Sequence, residues 1–100
     1  MNFNQKVWDL TKRIPKGKVT TYKEIANRLK TKAYRAVGRA LKQNKKPIII
    51  PCHRVIKSDG SLGGYKGRLN NKEKISLLRK EGIKIKKNKV ENFKEYLSKL

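Results

Sequence analysis

The sequence is poor in the residues that carry most protein chemistry. It has one cysteine, one histidine and one tryptophan. A single cysteine closes no intrachain disulfide, which points to a reducing compartment. One cysteine and one histidine are too few for a zinc site, and no metal or other cofactor is expected. No apolar run approaches the ~20 residues that a membrane-spanning helix needs. The N-terminal Met1-Asn2-Phe3-Asn4-Gln5-Lys6 leads into a polar segment and lacks the apolar centre of a secretory signal. Repeats and low-complexity linkers are also missing. The expectation is one cytoplasmic, monomeric domain over residues 1–100, with no membrane partner and a core large enough to fold unstapled.

Acidic residues are scarce as well. There are 7 Asp and Glu against 28 Lys and Arg, a net charge of +21. The basic residues divide evenly, 14 in each half, whereas Asp9 and Glu24 are the only acids before residue 51. The first half is therefore the more electropositive. Such a surface attracts polyanions, above all nucleic acid. A lysine-rich bias that only solubilises would look similar, and charge does not choose between DNA and RNA.

What is present centres on Pro51-Cys52-His53-Arg54-Val55, where the one cysteine and the one histidine are adjacent. The thiolate is the nucleophilic form of cysteine, and an imidazole can take the thiol's proton. Taken separately, each residue reads as well as core or structure. On a strand, neighbouring side chains point to opposite faces, so the two cooperate only if the backbone turns or a water bridges them. Pro51 fixes its own φ and disfavours a regular element before the cysteine, so a turn is expected.

The rest of the chain reads as short helices with a small extended component. Phe3, Val7, Leu10 and Ile14 recur at helical spacing and predict a helix over 4–13. Pro15-Lys16-Gly17-Lys18 is a turn, and Val19-Thr20 a short extended piece. Thr21-Tyr22-Lys23-Glu24 matches a capping box and opens a helix carrying Ile25, Ala26 and Leu29. After a break at Lys30-Thr31-Lys32, Tyr34, Val37, Ala40 and Leu41 predict a helix over 33–44. Two short helices with a tight connection outline a helix-turn-helix. Gly38 weakens the second helix by ~1 kcal/mol relative to alanine. Either close helix packing or the approach of a DNA backbone would explain it.

Pro47-Ile48-Ile49-Ile50-Pro51 reads as a short buried strand or extended segment, continued by 53–57 after the turn. Ser58-Asp59-Gly60-Ser61 is a hairpin-type turn, and that hairpin is a candidate wing. Lys72 to Glu81, with Ile75, Leu77 and Leu78, is a helix capped by Gly82. Ile83-Lys84-Ile85 alternates like a strand, and Glu91 to Leu100 predicts a terminal helix on Phe93, Tyr96, Leu97 and Leu100. The expected fold class is mainly α with a small β component, a winged helix-turn-helix DNA-binding domain.

Several blocks occur in a telling order. They are Val7-Trp8, Ile14-Pro15-Lys16-Gly17-Lys18-Val19, Thr21-Tyr22, Ile25-Ala26, Arg35-Ala36-Val37-Gly38, Asn44, Ile50 to Val55, Gly63-Gly64-Tyr65, and Leu77 to Gly82. Together they closely resemble the C-terminal domain of O6-alkylguanine-DNA alkyltransferases. The resemblance covers 1–82 and leaves 83–100 as a basic extension. It implies direct-reversal repair of double-stranded DNA containing O6-alkylguanine, with O4-alkylthymine as a further candidate substrate. The protein would be a suicide enzyme, alkylated once on its own cysteine. By that resemblance Cys52 is the alkyl acceptor, His53 its base through a water, and Glu81 orients His53. Tyr22 lies near the flipped base and its phosphate and supplies a proton to the leaving guanine. Arg35 fills the gap left by the extruded nucleotide. Thr21, Ala36, Gly38 and Arg39 fall on the DNA-binding surface. Val55, Leu62, Gly63, Tyr65 and Lys66 line the alkylguanine pocket, while Asn44, Pro51 and Arg54 are structural.

This chain departs from the family in three ways. It begins at the catalytic domain, so the family's N-terminal domain, sometimes zinc-bearing, is expected to be absent. Two extra residues stand between Tyr65 and Glu81, and Lys66 occupies a position that is serine in some members. The alternative is a non-enzymatic lesion sensor. Related alkyltransferase-like proteins are equally short but typically carry another residue, often tryptophan, where Cys52 stands here.

Overall fold

The computed structural model describes residues 2–45, 49–63 and 72–98. The first helix, α1 (Phe3–Lys12), starts one residue earlier than its apolar spacing predicts. Asn2 and Gln5 form a reciprocal capping box, each side chain bonding the other's backbone N–H, which fixes the start. Gly17 sits at φ +86°, as the turn at 15–18 requires. Strand β1 (Thr20–Thr21) follows and runs straight into α2 (Tyr22–Arg28). Thr21 Oγ1 accepts from Glu24 N at 3.0 Å, the hydroxyl half of the expected box. Then comes α3 (Tyr34–Lys42), shorter at both ends than predicted.

These helices form one core. Val7, Leu10, Ile14, Ile25, Ala26, Val37, Ala40 and Leu41 are buried together with Cys52 and Val55. Each fully buried aliphatic side chain of this size contributes ~1.5–3 kcal/mol. The inner face of α3 packs on α1, and Trp8 Nε1 ties the pair by donating to Ala40 O at 2.7 Å. That arrangement leaves Arg35 and Arg39 of α3 exposed.

Residues 46–48, with Pro47 and Ile48, lie outside the described residues. The buried strand expected there is not continued by Ile49, which is 69% exposed in a turn, whereas Ile50 is buried. The strand expected over 53–57 starts later, because Cys52–Arg54 forms a turn of 3-10 helix. Strand β2 (Val55–Ile56) then pairs in parallel with β1, Thr20 opposite Val55 and Thr21 opposite Ile56. The 58–61 turn is present, closed by Lys57 N to Ser61 O at 2.9 Å.

Helix α4 (Lys72–Lys80) ends in a complete Schellman motif. Ile83 N bonds Leu78 O at 3.1 Å and Gly82 N bonds Arg79 O at 3.0 Å, with Gly82 at φ +88°. The segment after Gly82 is no loose extension. Strands β3 (Ile85–Lys86) and β4 (Lys89–Val90) form an antiparallel hairpin around Lys87-Asn88. Ile83, Ile85 and Val90 bury with Val19, Ile56, Leu62 and Leu78 in a second core. The terminal helix expected over 91–100 is one turn, α5 (Phe93–Tyr96). Leu97 instead pairs with Val19, with Val19 N to Tyr96 O at 2.8 Å and Ser98 N to Val19 O at 2.7 Å. A backbone partner distant in sequence outcompeted the local helical spacing. About half of the described residues are thus helical, with two two-stranded sheets.

Candidate functional site

The difficulty with adjacent Cys52 and His53 is removed by the backbone. Pro51 has φ −77° and ψ 65°, an inverse γ-turn, and Cys52 N bonds Ile50 O at 2.7 Å across it. The 3-10 turn that follows swings Cys52 and His53 away from the opposed directions of a strand. Both face the interior, Cys52 8% and His53 1% exposed. Asn44 Nδ2 donates to Ile50 O at 2.8 Å and to Cys52 Sγ at 3.4 Å. The asparagine expected to brace the turn therefore also hydrogen-bonds the sulfur, an interaction that favours its anionic form.

Behind the cysteine is a chain of polar contacts. His53 Nε2 lies 3.0 Å from Glu81 Oε2. Arg54 clamps the same carboxylate through Nε at 2.9 Å and Nη2 at 2.6 Å, and its Nη1 reaches Ile14 O at 2.8 Å. Burial pushes Glu81 up, but hydrogen bonds from Arg54 and His53 outweigh it and hold the carboxyl below its ordinary range. Burial pushes His53 down; the Glu81 contact opposes this, and the charges of Arg54 and Lys74 add to it. The imidazole is therefore neutral near pH 7. With a carboxylate facing Nε2, that nitrogen carries the proton, which puts the basic lone pair on Nδ1.

Two further groups share the site. Tyr22, at the start of α2, is pushed up to about 12, by burial first and by the Cys52 charge second. Its phenol stays protonated and can donate. Gly63, at φ +68°, lies against it: a Cβ there would fall 3.2 Å from Tyr22 Oη. The other group is Lys74, whose role the sequence reading missed. It is 1% exposed, and its Nζ donates to Val55 O at 2.7 Å and Leu62 O at 2.5 Å. Nζ also lies 6.0 Å from the centre of the Tyr22 ring. Burial lowers Lys74 to about 7, partly countered by the Cys52 charge. Lys74 and Leu78 share one face of α4, and Glu81 follows three residues later just past its end, but a lysine in such a pattern reads as solvent-facing.

Of the other predicted residues, Val55 and Leu62 are buried where Lys74 holds their carbonyls. Thr21 is buried as the N-cap of α2, its hydroxyl accepting from Glu24 N. Ala36 is half-buried and Arg39 exposed on α3. Arg35, Gly38, Tyr22 and Gly63 line one cleft of about 540 Å³, together with Tyr34, Lys57 and Asp59. Tyr34, 41% exposed there, was read from sequence only as part of the helical spacing of α3. Nothing lies within 4 Å of a Cβ built on Gly38, which removes helix packing as the reason for that glycine. Tyr65 and Lys66 lie outside the described residues. Among the described residues no cluster of metal-ligating side chains occurs, and no helix is long and apolar enough to cross a membrane.

Comparison with known proteins gives a consistent picture. Residues 2–83 match the model of the 6-O-methylguanine DNA methyltransferase DNA-binding domain. A methylated-DNA–protein-cysteine methyltransferase of Sulfolobus acidocaldarius is 50% identical over 84 residues, 84% of this chain and 52% of that protein. The chain spans about half the length, or less, of the curated relatives it matches. Among solved structures, S. pombe Atl1 in complex with damaged DNA containing O6-carboxymethylguanine superposes with a TM-score of 0.85 at 34% identity, covering 98% of this chain and 95% of that one. Mycobacterium tuberculosis OGT in complex with DNA gives a TM-score of 0.73 at 44% identity, covering 81% of this chain and 50% of that one.

Proposed function

We propose a function from one premise: the chain belongs to the 6-O-methylguanine DNA methyltransferase family. It repairs O6-alkylguanine in double-stranded DNA by moving the alkyl group onto Cys52, once per molecule. The observation that carries this reading is the buried turn that sets Cys52 beside Asn44 and starts the His53–Glu81–Arg54 chain.

His53 Nδ1, relayed by a water, takes the thiol proton. Asn44 and the nearby Lys74 favour the thiolate that results. The sulfur attacks the alkyl carbon in line with the C–O6 bond. An S–C bond forms, the C–O6 bond breaks, and its electron pair leaves with the guanine. Protonated Tyr22 hydrogen-bonds the departing base, and the proton lost by the thiol finally balances it. Attack at saturated carbon suits a soft nucleophile, and a thioether has no second step that frees the cysteine. Turnover therefore stops at one.

The finer architecture is read as a winged helix-turn-helix, with α2, the 29–33 connection and α3 meeting the duplex. Arg35, exposed at the cleft, enters the stack where the flipped nucleotide was; a planar cation can stack and hydrogen-bond there. Arg35→Ala should slow repair of duplex DNA much more than reaction with free O6-methylguanine base, measured as single-turnover rates. Equal losses on both would remove the finger role.

A second reading has its own support. Atl1, solved in complex with damaged DNA containing O6-carboxymethylguanine, matches this chain almost end to end, which supports lesion binding as the alternative function. Peptide mapping after incubation with an O6-methylguanine duplex separates the two. Repair puts one methyl on Cys52 and none on any residue of Cys52→Ala. Tight lesion binding with an unmodified Cys52 would establish the sensor instead.

A further inference from the structure

Beyond Gly82 the chain forms a hairpin that neither the transfer chemistry nor the α2–α3 surface uses. Lys84, Lys86, Lys87 and Lys89 are all exposed on it, while Ile85 and Val90 anchor it in the second core. Among the described residues none of these four lysines makes an ion pair. Its turn has Lys87 at φ +52° and Asn88 at φ +62°. Such a turn favours Asn or Gly at its first central position, so a lysine there is held in a conformation it disfavours. Strain of that kind, at an exposed charged tip, suits a side chain kept for contact.

The hairpin's position gives it a partner. Ser61 pairs with Lys89, Leu62 N bonds Asn88 O at 3.1 Å, and Val90 N bonds Gly60 O at 2.9 Å. Phe93 presses on Gly60, where a Cβ would come within 2.8 Å of its ring. The hairpin is thus fixed to the same 57–63 turn that lines the cleft with Arg35 and Gly38. The charges of Lys89 and Lys57 both reach Asp59 on that rim.

We propose that the β3–β4 hairpin is a basic wing that grips the phosphate backbone of the duplex beside the cleft, extending the contact made by α3. This rests on the DNA-repair reading above. The hairpin exposes no apolar residue, so a polyanion fits it better than a lipid interior. A rigid arm with three lysines near its tip would neutralise up to three phosphates.

The test is the salt dependence of binding to an unmodified duplex, using the full chain. Each phosphate contact contributes about −0.9 to the log–log slope. Lys86→Gln/Lys87→Gln/Lys89→Gln should flatten the slope by about 2.7, from three such contacts. Removing the same charge from the α1 side, as Lys6→Gln/Lys12→Gln/Lys16→Gln, should change it by less than about one contact's worth. Lys87→Gly suits the turn and removes a single charge; it should flatten the slope by about 0.9 while raising thermal stability. Methyl transfer from free O6-methylguanine base to Cys52 should be unchanged in all three. Equal slopes for the hairpin and α1 variants, with transfer intact, would overturn the wing. So would lysine-dependent binding to phosphatidylserine vesicles without any effect on duplex binding. Absence of transfer in the wild type would instead strike the repair reading.

Discussion

Glu81 serves two masters at the residue scale: it fixes the His53 ring and neutralises Arg54, whose side chain is only 13% exposed. Glu81→Gln keeps the shape but removes the charge, leaving the guanidinium without its counter-charge. Breaking such a buried pair costs about 3 kcal/mol. Urea denaturation should show a loss of that order, and transfer should slow by roughly 10-fold or more as His53 loses its orienting carboxylate. Lys74 makes a separate prediction in pH. Its folded value, about 7, lies below its ordinary 10.5. Between those values the unfolded chain binds a proton that the folded chain does not, so stability rises with pH, by up to about 1.4 kcal/mol per unit. Below pH 7 both states are charged and the slope vanishes. Tyr22, raised to about 12, acts only above pH 10, where its contribution falls as pH rises. Denaturation at pH 7 to 10 should show the slope in the wild type and lack it in Lys74→Met. What was legible at this scale from local motif was Cys52 and His53 beside Pro51, whereas Asn44 was named only through the family resemblance. Lys74 was hidden because a lysine in a helical pattern reads as solvent-facing, and only tertiary packing buries it.

At the scale of elements, α3 carries a contradiction in its own stability. Gly38 sits mid-helix with open space around it. Gly38→Ala should therefore stabilise the free protein by about 0.8 kcal/mol, read from its melting temperature. The same methyl faces the cleft, so duplex affinity should fall. Higher stability with unchanged affinity would mean that no backbone approaches there. Helices α2 and α4 were readable because cap and apolar spacing agree, Thr21 with Glu24 and Gly82 after Glu81, whereas α1 and α3 were readable from apolar spacing alone, α3 having no side-chain cap. Of the 85–90 hairpin only a first strand was expected, at Ile83-Lys84-Ile85, two residues before β3 begins. Two-residue strands have no periodicity to detect, and Lys87-Asn88 lacks the Asn-Gly signal of a tight turn. Phe93, Tyr96 and Leu97 did have helical spacing, but Val19 captures Leu97 by backbone pairing. Ile49 failed for a similar reason: an apolar residue next to Ile50 ended up on the outside of a turn.

For the whole molecule, two cores meet at the turn that carries Cys52. The helical core holds Cys52 and Val55, and the second core holds Ile56, Leu62 and Leu78, so β1–β2 pairing joins them. Lys74 and the Glu81 clamp cross the same seam. The cysteine is thus positioned by segments from residue 14 to residue 81, which suits a site that must hold geometry for a single reaction. The most direct test of that account is a titration read by intact mass. Increasing amounts of O6-methylguanine duplex are added to a fixed amount of protein, and the methylated fraction is followed to its end point. The account predicts a linear rise to one methyl per molecule, a break at equal lesion and protein, and unrepaired lesion beyond it. Repair continuing past that break, or lesion bound with no change in mass, would contradict it.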